Sequence, residues 1–240
     1  MLFGLIGKYN PMMLKTVIAK EDEVFNNPPE GIEVVARYAI VGERGGFINI
    51  VKTTQAEALG ILLSSFVGLI HFDSHSDLWH DYFDGKDTHG TPFRRALEEG
   101  LIDPQRSCQI GSRGSLYDKS DCLMTVEEGM LMVDAPQLHE QGSPKTLEQI
   151  IAKAGEGPLY ITFDIDSLDP GYAPGTGTPE IAGLTPPQAL QLIRGLRGLP
   201  IVGLDLVEVA PAYDTSGNTA LLGANIAYEM LCALPSVPIR

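Results

Sequence analysis

The sequence predicts a three-layer α/β/α fold built on a largely parallel sheet. Three observations carry this reading. Apolar, β-rich runs (67–72, 159–163 and 200–208) alternate with amphipathic helical segments, the pattern of βα units. Two of those runs end in acidic residues at alternate positions, where an open α/β sheet places its sites. The chain has 240 residues, 44% of them hydrophobic, enough for one substantial core, and no repeat, low-complexity tract or linker divides it. A single domain over residues 1–240 is therefore expected.

Taken in order, the first fifty residues say least. Lys20-Glu21-Asp22-Glu23 and Asn26-Asn27-Pro28-Pro29 read as a polar loop, and Ile32 to Val41 as a strand turning at Gly42 to Gly46. Thr53 to Ser64 reads as a helix, with Thr53 or Thr54 as N-cap and Ala56, Leu59, Leu62 and Leu63 as its apolar stripe. The strand from Val67 to Phe72 follows, then a loop, Leu78 to Thr88, rich in aromatic and acidic residues. That loop either lines a pocket for a cation or packs on its own aromatics. Pro92 to Gly100 forms a short helix with Gly100 at its end, and Ser107 to Gly111 a short strand closed by the turn Gly111-Ser112-Arg113-Gly114. Thr125 to Val133 is helix-like despite Gly129. Ser143-Pro144 opens a further helix, with Ser143 as N-cap and Pro144 in the first turn.

The strand from Leu159 to Asp164 comes next, and Asp169-Pro170 breaks it. Gly171 to Gly183 is too rich in glycine and proline for regular structure and is placed to wall a pocket. Its Gly-Thr-Gly is no phosphate loop, since no Gly-Lys-Ser/Thr follows. Thr185 caps a helix through Leu196, Pro200 to Glu208 is the last strand, and Asn218 to Leu231 the closing helix.

Charge and cysteine content narrow the function classes. Seventeen basic against thirty-one acidic residues give a net charge of −14, which disfavours nucleic acid or an anionic membrane as partner and suits a small cationic substrate. Three cysteines, Cys108, Cys122 and Cys232, lack any C-x-x-C spacing. Free thiols in a reducing compartment, the cytoplasm, are expected, with Cys108 and Cys122 as small buried hydrophobes. The apolar start is interrupted by Lys8, Asn10 and Pro11, unlike a signal peptide, and no run is long enough to span a bilayer.

Chemistry concentrates at the two acidic strand ends. In Asp73-Ser74-His75-Ser76-Asp77, an extended backbone would project Asp73, His75 and Asp77 to one face. Asp164 and Asp166 repeat the spacing after the second strand. Buried carboxylates this close repel one another unless a cation lies between them. A carboxylate-rich, imidazole-poor set suits Mn²⁺ or a similar hard ion, and five ligands are more than one tetrahedral zinc needs, so a pair of ions is expected. His71 shares the parity of Asp73 but lies one step back in the strand and reads as a packed histidine.

These residues carry a resemblance. His71-Phe72-Asp73-Ser74-His75-Ser76-Asp77-Leu78, Phe163-Asp164-Ile165-Asp166-Ser167-Leu168-Asp169-Pro170 and Pro174-Gly175-Thr176-Gly177-Thr178-Pro179-Glu180 resemble the signatures of the ureohydrolases, the arginases and agmatinases. His89-Gly90-Thr91-Pro92-Phe93-Arg94-Arg95-Ala96 is similar to the agmatinase branch, and Asp205 to Pro211 resembles a further site segment. The resemblance covers roughly residues 66–233 and leaves residues 1–65 divergent. It implies an arginase-like fold, two Mn²⁺ ions on Asp73, His75, Asp77, Asp164 and Asp166, and hydrolysis of a guanidino compound, agmatine above all, to putrescine and urea. It further implies proton transfer by Asp77 and His89, guanidinium binding by Glu208, a substrate contact from Thr178, and a homotrimer or homohexamer. One element departs. Family members carry a Gly-Gly-Asp-His segment that supplies another metal ligand, and its nearest counterpart here is Gly45-Gly46-Phe47-Ile48. A catalytically impaired metal-binding homologue with a regulatory or structural role, and a mononuclear hydrolase of another C–N bond, are the alternatives.

Overall fold

The computed structural model describes residues 33–42, 45–53, 67–116, 121 and 123–235. The chain divides into two compact units, residues 1–64 and 65–240. In the first, strand β1 (Glu33–Gly42) pairs antiparallel with β2 (Gly45–Thr53), closing at Gly42↔Gly45, as the strand and turn expected there require. The register slips once, between Val34 and Ala36. The helix expected over Thr53 to Ser64 and the polar loop before Ile32 lie outside the described residues.

The second unit is a five-stranded parallel sheet of β3 (Gly68–Phe72), β4 (Cys108–Ile110), β5 (Leu131–Val133), β6 (Leu159–Asp164) and β7 (Ile201–Val207) in the order β5-β4-β3-β6-β7. From β3 the chain winds outward through β4 to β5, then returns to the other side of β3 with β6 and β7. The winding reverses between β3 and β6, and ligands of open α/β sheets bind outside the strand ends at such a reversal.

Alternation along the strands sorts side chains into two cores. Ile70, Phe72, Ile110, Ile161 and Phe163 join Leu138, Ile150, Leu192, Ile193 and Met230 of helices α3 (Ala135–Ala154), α4 (Pro186–Gly195) and α5 (Asn218–Ala233). On the other face Leu69 meets Leu78, Ile102 and Met130, with Phe93 and Leu97 of α1 (Pro92–Glu98), Met124 of α2 (Met124–Glu127), and Tyr160 packed against them. The three layers expected from the sequence are these. All five residues of β3 are buried, as a strand covered on both faces requires, each large aliphatic side chain contributing roughly 1.5–3 kcal/mol.

Local signals explain most boundaries. Thr185 opens α4 with a full capping box: its hydroxyl accepts from Gln188 N and Gln188 Oε1 accepts from Thr185 N. Gly100, at φ 68°, follows the last turn of α1. Two expectations are corrected. The helix expected from Thr125 to Val133 stops at Glu127, because Gly129 turns the chain at φ 87° and Leu131-Met132-Val133 is claimed by the sheet, pairing with β4. The helix expected to open at Ser143 does so after a kink, but a further helical stretch precedes it from Ala135, where the Asp134 carboxylate accepts from Gln137 N at 2.7 Å. It kinks at Gly142 (φ 80°, ψ 163°) and resumes with Pro144 in its first turn. Ser143 Oγ finds no hydrogen-bond partner among the described residues, so it does not cap. Among the described residues no helix is long and apolar enough to cross a membrane.

Candidate metal centre

Strands β3 and β6 pair from Gly68↔Leu159 to Phe72↔Phe163, so the next residues on these neighbouring strands are Asp73 and Asp164. Both side chains are buried, and so is that of Asp166. The Asp164 carboxylate accepts from Asp166 N at 2.8 Å, capping the single 3₁₀ turn Ile165–Ser167 that swings Asp166 back toward β3. Asp73 Oδ1 accepts from His75 N at 2.7 Å. His75 Nδ1 then lies 3.1 Å from Asp166 Oδ2 and 3.4 Å from Asp73 Oδ1. Asp73, His75 and Asp166 thus present ligand atoms to one point, and His71, Asp73 and Asp77 form a second such group. The convergence differs in form from the expected extended alternation: β3 ends at Phe72, and Asp77 is reached through a bend with a left-handed backbone at φ 53°.

Glu208 follows β7 immediately and is likewise left-handed, at φ 64°. Asp77 and Glu208 are two of only five such non-glycine residues among those described, and each costs about 1–2 kcal/mol of backbone strain. Strain of that kind collects where a fold must aim a side chain. Glu208 Oε2 lies near Gly177, where a Cβ would stand 3.6 Å away, so the carboxylate faces the loop after β6.

The electrostatics are those of an acid cluster short of positive charge. Burial pushes the Asp164 carboxyl well above its ordinary range, and Asp166, Asp73 and Glu208 push it further. Asp77 is raised well above its range by burial and by Asp73, Asp166 and Glu208, against the opposing pull of His75. Glu208 is raised by burial, Asp166 and Asp73. Burial would raise Asp73 too, but His71 and His75 together hold it below the usual carboxylate range. Burial would lower His75, yet hydrogen bonds to Asp166 and Asp73 carry it up to about 11. Without a cation the cluster must retain protons. The donor set, mostly carboxylate oxygen with the imidazoles of His75 and His71, therefore fits hard divalent ions.

Other expected residues are placed as follows. Thr178 Oγ1 donates to Asp166 Oδ2 at 3.2 Å, which ties the loop after β6 to the cluster. His89 stands edge-on to Tyr82, ring centroids 5.0 Å apart at 79°, and among the described residues makes no hydrogen bond to the acids. Tyr82 also stacks on Trp79 (4.8 Å, 5°), and Trp79, Asp81, Tyr82, Phe83 and Asp121 line a cavity of about 270 Å³, so the aromatic loop packs on itself and still leaves a recess. His71 is buried, tilted on Phe93 at 4.4 Å, with Nε2 donating to Asp73 Oδ2 at 2.7 Å, and it also belongs to the second candidate ligand group, where the sequence reads as a packed histidine alone. Cys108 is buried, with its thiol pushed up to about 12 by burial, while Cys122 lies outside the described residues.

Sequence reasoning overlooked Ser74, which binds Asp166 Oδ1 through both N (3.1 Å) and Oγ (2.8 Å). A serine between two ligands reads as a spacer. It also overlooked Gln109, whose side chain joins His75 O to Thr125 Oγ1, and Arg113.

Comparison with known proteins follows the same lines. The sequence model described as Arginase family matches residues 48–232. "Agmatinase, mitochondrial" of Gallus gallus is 55% identical over 171 residues, 71% of this chain and 50% of that protein. "Guanidinopropionase" of Pseudomonas aeruginosa is 53% identical over 175 residues, 72% of this chain and 55% of that protein. The crystal structure of a hypothetical agmatinase from Burkholderia thailandensis superposes with a TM-score of 0.62 at 47% identity, covering 70% of this chain and 50% of that one. The chain thus spans about half the length of the curated relatives it matches.

Proposed function

Because the chain belongs to the arginase family, we propose that it hydrolyses a guanidino compound, with agmatine as substrate and putrescine and urea as products, at a pair of Mn²⁺ ions. The observation that carries this reading is the meeting of Asp73, His75 and Asp166 at the reversal of the sheet, beside Asp77 and Asp164, buried carboxylates that a cation would relieve of their mutual repulsion. Asp73, His75, Asp77, Asp164 and Asp166 would hold the ions. When bound, such ions supply Lewis acidity and a water acidic enough to act as hydroxide near neutral pH.

The protein's own groups do the rest. Glu208 offers two carboxylate oxygens to the planar guanidinium, the matching fork for that cation. Asp77 takes a proton at its carboxylate and passes it to the departing amine, and His89 exchanges protons with solvent. Thr178, held on Asp166, borders the substrate. The negative charge of the whole chain, −14, favours agmatine among guanidines by attracting a dication.

The test is urea release from agmatine by protein loaded with Mn²⁺, with guanidinopropionate and guanidinobutyrate in parallel and metal counted on the same sample. Urea from agmatine with two ions per chain is the expected result. A second reading, a metal-binding homologue without catalysis, is favoured by Phe47 and Ile48, which follow Gly45-Gly46 in the sequence where the family's segment has Asp and His, and which pair with β1 as ordinary strand residues, Ile40↔Phe47 and Ala39↔Ile48. No urea from any substrate with metal still bound selects that reading, and no urea with no ion bound overturns both.

A further inference from the structure

Arg113, in the turn after β4, is bound almost wholly to main-chain carbonyls. Its Nε donates to Ile181 O (3.0 Å), Nη1 to Gly111 O (3.0 Å) and Ser167 O (3.3 Å), and Nη2 to Asp166 O (2.8 Å), Leu168 O (3.2 Å) and Glu180 O (2.8 Å). Its own backbone N donates to Ser74 O at 3.0 Å. One residue thus ties together the bend that carries His75, the 3₁₀ turn that carries Asp166, and the loop that carries Thr178.

The surroundings are shaped to admit the guanidinium. A Cβ on Gly183 would fall 2.3 Å from Arg113 Nη2 and 2.5 Å from Asp169 N, a clash that backbone on one side cannot relieve. Gly111, at φ 100°, lets the chain turn beneath Asp73, where a Cβ would meet Asp73 O at 3.2 Å. Burial lowers the Arg113 guanidinium from its ordinary range, and Asp166, Asp169 and Glu180 oppose that shift in favour of the charged fork. The planar arginine head has five N–H donors fixed in direction, whereas lysine has three on one point and cannot reach acceptors on separate loops.

We propose that Arg113 is the positioning residue of the metal centre: its guanidinium fixes the Asp166 turn and the Thr178 loop against β4, and its backbone fixes the His75 bend, so that the ligands are pre-aimed before any ion arrives. This rests on the metal-centre reading above. It assigns Arg113 no contact with substrate or ion. Groups that orient ligands from outside in this way are worth about 10–100-fold in metal affinity.

The experiment compares wild type, Arg113→Lys and Arg106→Lys. Arg106 is the control, because its Nε and Nη2 hold Ala154 O (3.0 Å) and Pro158 O (3.1 Å) before the start of β6, at the amino ends of the strands and away from the acid cluster at their carboxyl ends. Amide hydrogen exchange of the metal-free proteins is read first, then Mn²⁺ affinity by calorimetry, then kcat and KM. For Arg113→Lys, exchange is expected to rise together in 73–78, 165–169 and 178–184, Mn²⁺ affinity to fall about 10–100-fold, and kcat to fall more than KM rises. Arg106→Lys is expected to lower Tm with affinity unchanged. Unchanged exchange in those three segments overturns the clamp, whether or not metal binds. Raised exchange with wild-type Mn²⁺ affinity overturns its role in the centre, and an equal loss of affinity in Arg106→Lys reduces it to general stability. Wild-type protein that binds no Mn²⁺ overturns the metal-centre reading and this role with it, the exchange data still deciding the clamp.

Discussion

Asp164 takes its position from the register of two strands and its electrostatics from burial among Asp166, Asp73 and Glu208. Asp164→Asn keeps the shape and removes the charge. It is expected to abolish Mn²⁺ binding while leaving the metal-free fold as stable as wild type or more so, since a crowded carboxylate has been neutralised; calorimetric titration with Mn²⁺ and a thermal scan check both halves. Glu208 stands apart from the ligand groups, so Glu208→Ala is expected to retain both ions and raise KM about tenfold or more, as loss of a charge-assisted fork costs roughly 1.5–3 kcal/mol. Unchanged kinetics would remove Glu208 from the site. At this scale the sequence was most legible for Asp73 and Asp164, which follow paired strand ends, while Asp77 is brought round by a bend that the expected alternation lacks. It was least legible for Ser74, Gln109 and Arg113, whose parts depend on carbonyls contributed by segments far away in the chain.

Among the elements, those with a local mechanism were readable. The capping box of α4 is written in Thr185-Pro186-Pro187-Gln188, and Thr185→Ala is expected to cost about 1 kcal/mol in urea denaturation without changing Mn²⁺ affinity. The strands β3 and β6 were readable because burial on both faces demands continuous apolar runs. What failed was the segment whose fate is set by its neighbour. Leu131 to Val133 has no strand signal of its own, and only pairing with β4 takes it out of the helix expected there. The stretch from Ala135 to Gln141 hid for a similar reason: Gly142 interrupts the helical pattern that it continues.

For the molecule as a whole, the acid cluster ties stability to pH. In the metal-free protein Asp77, Asp164 and Glu208 have raised folded pKa values, so the folded state binds more protons than the unfolded one above the ordinary carboxylate range, and stability falls as pH rises through the raised values. His75, raised from 6.5 to about 11, contributes stability in full below 6.5 and loses it as pH climbs toward 11. Asp73, held low, adds a term that is lost only as pH falls through its folded value. The metal-free Tm is therefore expected to decline steadily from about pH 6.5 upward, and Mn²⁺ to flatten that slope by replacing the retained protons. Scanning calorimetry with EDTA and with Mn²⁺ across pH 6–9 checks the difference, and parallel slopes would count against a cation in the cluster.

The seam between β3 and β6 has a kinetic side. Ser74 and Asp166, which touch across it, lie 92 positions apart in the chain, with β4, β5 and the helices α1, α2 and α3 folded between them. Closing so long a loop is slow relative to forming any helix in it. In a refolding chain the ability to capture an ion should therefore appear late, after most helical signal has returned, and should rise in a single phase with the docking of β6. Stopped-flow refolding in the presence of a metal indicator would make the centre a clock for the moment at which the two halves of the sheet meet.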